Sequence, residues 1–252
     1  MITKKGKLLL FSPLLSLFFS CSEAPKLEIT PYERIVLCEF FTHIRCTYCP
    51  YAANTLDSLE KEFHDSLAII AYHRRRLGDT LSPNYVENRA TFYYQDNIEP
   101  TTFFDGEGPV RTEDPVLNYQ VFKGMVERKR GIKPKVQLFL AESLFTNILK
   151  LKAILIRVDT TRFDSLRFFF VFTEDSVRCY IPGGSDSIFN KVMRMIWPDE
   201  NGMPIFLNQD TIKVEYTIPW KEIWRKERMQ IVAFIQDKLS KEVLVCVKRR
   251  FL

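Results

Sequence analysis

The sequence predicts an α/β half followed by an all-β half. Up to about residue 131, short apolar runs of strand length alternate with stretches of helical periodicity. From Lys133 onward strand-like stretches follow one another with no long helix between them. Hydrophobic residues make up 46% of the 252 residues and charged residues 27%, so the chain can bury a substantial core and is not disordered by composition.

In the first half, "RIVLCEFF" (34–41) is a continuous apolar run, as expected of a strand covered on both faces. Cys49-Pro50 opens a helix, proline being tolerated in a first turn, and Ala52, Leu56, Leu59 and Phe63 recur at helical spacing. "LAIIAYH" (67–73) reads as a second buried strand. "SPNYVENRATFYY" reads as a helix capped by Ser82 with Pro83 in its first turn. "TTFFDGEGPVRT" is strand, turn, strand, with Asp105-Gly106 supplying the turn. A third helix starts at Asp114-Pro115 and stops at Gly131, with Lys and Arg in its last turns, where the helix dipole favours them. The predicted order is β-α-β-α-β-β-α.

In the second half, "KVQLFLAESLF", "ILKLKAILIRVD", "LRFFFVFTED", "DTIKVEYTIP", "MQIVAFIQDK" and "EVLVCVKRRF" are strand-like, and several alternate apolar and polar residues. Such a series suggests an antiparallel sandwich. Phe168–Phe170 and Phe172 read as its core. A short helix over Ser187–Ile196 is expected inside a long excursion between strands. The joint falls near 131–134, with no Gly/Ser linker.

Residues 1–20 carry Lys4, Lys5 and Lys7, no acid, and an apolar stretch from Leu8 to Phe19 that is too short to span a bilayer. They read as a signal peptide. Ser20-Cys21 follows, similar to a bacterial lipobox in which Cys21 is lipidated, and residues 21–31 read as a tether. The formal net charge is +5; without the three lysines it is +2, so overall basicity lends no support to nucleic-acid binding. An exported chain meets an oxidising compartment where disulfides persist. With Cys21 set aside, Cys38, Cys46, Cys49, Cys179 and Cys246 remain, an odd number, which favours one local pair and buried single cysteines.

The local pair is Cys46-Thr-Tyr-Cys49-Pro. A strand-to-helix junction puts Cys46 at a helix N-terminus, where free N–H groups and the dipole stabilise a thiolate. Cys46 would attack a substrate disulfide and Cys49 would resolve the mixed disulfide. Pro100 precedes the third strand in "EPTTFFDG". The order strand, CxxCP, helix, strand, helix, Pro-Thr, strand resembles the thioredoxin fold over residues 32–131, in which a cis-proline at this point packs against the dithiol. Glu39 is a candidate proton acceptor for Cys49, one position away from the buried acid usual in such proteins. That role would need the loop "THI" to absorb the shift, since one residue along a strand changes its face.

"VLCEFFTHIRCTYCPYAANTL", "EPTTFFDG" and "RMIWPDENGMPI" resemble the twenty-eight-kilodalton outer-membrane protein family, exported bacterial lipoproteins. The resemblance implies a thioredoxin-like domain (32–131) followed by an all-β, immunoglobulin-like sandwich domain (132–252). It also implies a location in the cell envelope, lipid-anchored to the outer membrane and facing the periplasm or the surface. Two functions are compatible with these features. One is a thiol–disulfide oxidoreductase with a redox-active Cys46/Cys49 centre, acting on the thiols and disulfides of exported proteins. The other is a non-catalytic surface lipoprotein with a static disulfide, whose β-sandwich binds a protein or glycan partner. No cofactor or metal is expected: zinc would need two more ligands beside the CxxC. His43 is either a polar loop residue or a group that tunes the dithiol. Arg74–Arg76 read as a solvated charge run.

Overall fold

A computed structural model describes residues 34–94, 96–111, 114–159, 163–181 and 186–251. The stretches expected to be a signal peptide and a tether, with Cys21, lie outside the described residues. β1 (Val36–Thr42) is buried along its whole length, as its unbroken apolar run requires. α1 (Cys49–Phe63) leads to β2 (Leu67–His73), which pairs parallel to β1. After α2 (Val86–Tyr93), β3 (Thr101–Phe104) returns antiparallel to β1, and β4 (Glu107–Val110) pairs with β3. α3 (Pro115–Arg130) is capped by Asp114, whose carboxylate accepts from the N–H groups of Val116 and Leu117. The strand order β2-β1-β3-β4 in these directions is the thioredoxin-like arrangement. α1 and α3 share one face of it: Leu56, Leu59, Phe122 and Val126 pack with Phe40 and Ile69. α2 covers the other face through Val86, Ala90 and Tyr93. Its N-cap is Tyr85 rather than Ser82, and no side chain caps it.

All six strands expected in the second half form: β5 (Val136–Phe145), β6 (Ile148–Arg157), β7 (Leu166–Glu174), β12 (Thr211–Pro219), β13 (Met229–Asp237) and β14 (Val243–Arg250). They are joined by β8 (Val177–Tyr180), β9 (Asp186–Phe189), β10 (Val192–Trp197) and β11 (Met203–Pro204). The helix expected over Ser187–Ile196 is absent; β9 and β10 occupy that stretch.

The expected division near 131–134 does not separate two sheets. One nine-stranded sheet runs β14-β13-β7-β10-β2-β1-β3-β4, with β11 paired to β7, and so combines strands from both halves. The junction is β10, which pairs parallel with β2 at Val192 and Ala71 and antiparallel with β7. The reason lies in β7 and β13, whose apolar runs are unbroken. Phe168, Phe170 and Phe172 point to one side, toward the three-stranded sheet β12-β6-β5. Phe169 and Val171 point to the other, into the core under α2. An independent immunoglobulin-like sandwich is therefore corrected to a shared layer: β5, β6 and β12 pack on an extension of the sheet that carries β1.

The two ends of the large sheet also meet. Val243 N donates to Asp105 O (3.1 Å), and Arg34 donates to the carbonyls of Val243 and Leu244 while pairing with Asp105 at 2.9 Å. Gly106 makes this approach possible: its φ is +82°, and a Cβ there would lie 1.7 Å from Lys241 O.

Candidate functional site

β1 ends at Thr42, and the next six residues carry the chain to the N-terminus of α1. Cys46 N donates to His43 O (3.0 Å), closing a tight turn, and Asp79 accepts from Ile44 N (2.9 Å). Asp79 also holds His73 at 2.8 Å, so a buried carboxylate ties the end of β2 to the loop before the cysteines. Cys46 and Cys49 form a disulfide. Cys46 is half-buried and Cys49 buried. Tyr48, the N-cap of α1, makes no side-chain capping bond; instead Cys49 N donates to Cys46 Sγ (3.1 Å). The sulfur thus takes the place of a capping oxygen, where a thiolate would be stabilised by the N–H group and the helix dipole.

The peptide bond Glu99–Pro100 is cis. Phe41 pairs with Thr101, so Pro100 enters β3 at the edge of the sheet from which the cysteine loop leaves β1. Its approach is fixed by buried ions. Arg74 pairs with Glu87 (2.6 Å) and with Glu99 (3.0 Å) and also donates to Tyr94 and Asn97, while Arg76 reaches Glu99 as well. The arginine run is therefore not simply solvated: Arg74 is 6% exposed and anchors the Pro100 loop.

Glu39 does not face the dithiol. Along β1, Val36, Cys38 and Phe40 share the α1 side with Cys49, and alternation sends Glu39 to the α2 side. There Arg89 grips it through two hydrogen bonds of 2.8 and 2.9 Å, with Tyr93 donating a third. The loop does not absorb the one-residue shift, and the role of proton acceptor for Cys49 is corrected to that of a partner to a buried arginine.

Beside the disulfide lies a cleft of about 350 Å³. Its floor is Phe40, Ile69 and Ala71; α1 contributes Ala53 and Asp57; the β8–β9 hairpin closes it with Ile181, Ile188 and Phe189. His43 and His73 line it too. Asp57 accepts from Asn190 at 3.1 Å, and burial raises its carboxyl above the ordinary range despite that bond and nearby Lys191. Asp57 and the hairpin were missed from sequence. Asp57 was visible as the residue eight after Cys49, on the same helix face. The hairpin's place depends on β10 joining β2, which no local pattern announces. Cys38, Cys179 and Cys246 are buried and unbridged, as expected of core cysteines; burial raises the thiols of Cys38 and Cys246 well above their usual range.

No protein-family model matches the chain, and no curated protein matches it. Solved structures do. HBP35 of Porphyromonas gingivalis superposes with a TM-score of 0.71 at 13% identity, over 87% of this chain and 76% of that one. A structural-genomics protein from Agrobacterium tumefaciens superposes at 0.54 with 10% identity, over 88% and 96% of the two chains. At these identities the likeness is one of fold. A domain of the outer membrane lipoprotein Omp28 from Porphyromonas gingivalis shares 19% identity over 47% of this chain and 88% of that one, at a TM-score of 0.37.

Proposed function

We propose that this protein is a thiol–disulfide oxidoreductase of the bacterial cell envelope, acting on exported proteins through Cys46 and Cys49. The observation that carries the reading is the asymmetry of the pair. A half-buried Cys46 sulfur receives an N–H at the mouth of α1, beside a buried Cys49 and at the sheet edge that Pro100 enters. Cys46 is the attacking thiol and Cys49 the resolving one. In the oxidising direction the disulfide accepts a pair of substrate thiols; in the reducing direction the dithiol opens a substrate disulfide. Anchoring through a lipid on Cys21 belongs to this proposal and rests on the sequence around Ser20-Cys21; mass spectrometry of the mature N-terminus tests it, and residues upstream of Cys21 or a missing acyl chain would remove it.

Reduction of insulin disulfides in the presence of dithiothreitol tests the activity. The native chain should accelerate it and Cys46→Ser should not. Equal rates for the two would leave the second reading, a binding lipoprotein with a static disulfide. What favours that reading is Glu39, which is sequestered by Arg89 and leaves the dithiol without the acid that related folds use.

A further inference from the structure

We infer that His43 takes up, through Nδ1, the proton that Cys49 loses when it resolves the mixed disulfide. The inference rests on the oxidoreductase reading above. His43 lines the same cleft as both cysteines and is three residues before Cys46 in a closed turn, which keeps the Cα atoms of His43 and Cys46 within about 7 Å. It is 8% exposed, and its Nδ1 is buried with no hydrogen-bond partner among the described residues. A buried ring nitrogen without a partner is costly to keep, and in the Nε2–H tautomer it is a free acceptor.

The nearby carboxylates are all engaged or distant. The charged and titratable groups facing His43 are Glu99, Arg76, Asp79 and His73. Glu99 is held by Arg74 and Arg76. Asp79 is held by His73 and by the N–H groups of Ile44 and Leu81. Glu39 lies on the other face of the sheet. Asp57 lines the cleft, but eight residues along α1 from Cys49 is about 12 Å of helix rise, beyond direct reach. Burial lowers the His43 pKa, so the ring is neutral near neutral pH and able to accept.

In the reducing direction, the Cys46 thiolate attacks one sulfur of a substrate disulfide, a Cys46–substrate S–S bond forms, the substrate S–S bond breaks, and the other substrate sulfur leaves as a thiolate carrying the negative charge. The Cys49 thiol then gives its proton to His43 Nδ1 as its sulfur attacks Cys46 Sγ. The Cys46–substrate bond breaks, the Cys46–Cys49 bond forms, and the departing substrate thiolate takes the proton back from His43. The substrate disulfide has gained two electrons and the enzyme dithiol has lost them; the ring ends neutral.

The test is the pH dependence of exchange between the reduced full chain and a fluorescent glutathione disulfide, for the native protein and His43→Gln. The native rate should rise through an ionisation below the usual histidine range. His43→Gln should lose that step and slow by about 10²-fold or more at neutral pH. A His43→Gln rate within about twofold of native, with the same profile, overturns the inference while leaving the oxidoreductase reading intact. A native chain with no exchange at any pH overturns both. Because the variant could fail to fold, the native ring is also titrated by NMR in both redox states. Its midpoint should move when the disulfide in the shared cleft is reduced to two thiols, and superimposable curves would equally overturn the assignment.

Discussion

Replacing Glu39 by leucine would strand Arg89. Both side chains are 1% exposed and paired at 2.7 Å, and Arg89 additionally donates to Gln236 (2.9 Å). Its guanidinium lies 5.0–5.5 Å from the ring centroids of Phe92, Tyr93, Phe169 and Phe234. Those rings, one amide oxygen and the Tyr93 hydroxyl at 3.3 Å cannot replace a carboxylate for a charge cut off from water. Removing one member of a buried pair typically costs about 3–5 kcal/mol, while replacing both by apolar residues of similar volume is often near neutral. Glu39→Leu should therefore cost about 4 kcal/mol, and Glu39→Leu combined with Arg89→Met should recover most of it. With a urea slope of about 3 kcal/mol/M, the single variant's midpoint falls by roughly 1.3 M. The assay is urea unfolding followed by fluorescence, with the slope checked for constancy. A loss below about 1 kcal/mol for Glu39→Leu, or a double variant whose loss is the sum of the singles, would refute the reasoning. The milder Glu39→Gln should leave the pH profile of disulfide exchange unchanged in the folded protein, since its carboxylate points away from Cys49.

Cys49→Ser should trap a mixed disulfide with substrate on Cys46, visible by non-reducing electrophoresis, while Cys46→Ser traps none. Gly106→Ala should cost about 2–5 kcal/mol in thermal or urea unfolding, combining left-handed backbone strain with the clash on Lys241 O, and loss under about 0.5 kcal/mol would contradict the sheet closure. Gly124→Ala, in α3 with open space around it, should instead stabilise by roughly 0.5–1 kcal/mol. Glu107, held down to about 2 first by Arg128 and then by Lys129, is half exposed, so its ion pairs are worth only about 0.5 kcal/mol after solvent screening. A depressed carboxyl stabilises above its unfolded pKa, so the difference between native and Glu107→Gln should be full above about pH 4.5 and vanish as pH falls toward about 2, as measured by unfolding at each pH.

The strand–CxxCP–helix junction was legible because each part has its own local signal: an unbroken apolar run, a proline in a first turn, a repeat of Ala52, Leu56 and Leu59. The cis bond at Pro100 has no such local signal; it was legible only as what the resemblance to the thioredoxin fold implies. Glu39 was not, because the acid sits one position from where related folds hold it, and only the face assignment of Phe40 decides the matter. The separate sandwich failed on a point of consistency. "FFFVF" and "IVAFI" share the unbroken apolar continuity of "RIVLCEFF", the pattern of a strand covered on both faces, which suits the middle of a large sheet better than one side of a free-standing sandwich. Over Ser187–Ile196 the chain forms β9 and β10 instead of a helix, turning between them at Asn190-Lys191.

The seal between Arg34 and the carbonyl of Leu244 joins residues 210 positions apart. Contacts of that span form late, because the chain entropy lost in bringing such distant segments together must be overcome before they contribute. The residue that leads into β1, and so toward the cysteine loop, is therefore anchored on β14 at the far end of the same sheet, and the N-terminal 131 residues are not a free-standing module. A truncation that keeps every residue named in the redox chemistry but removes β14 should yield a chain with the cysteines present and their geometry gone.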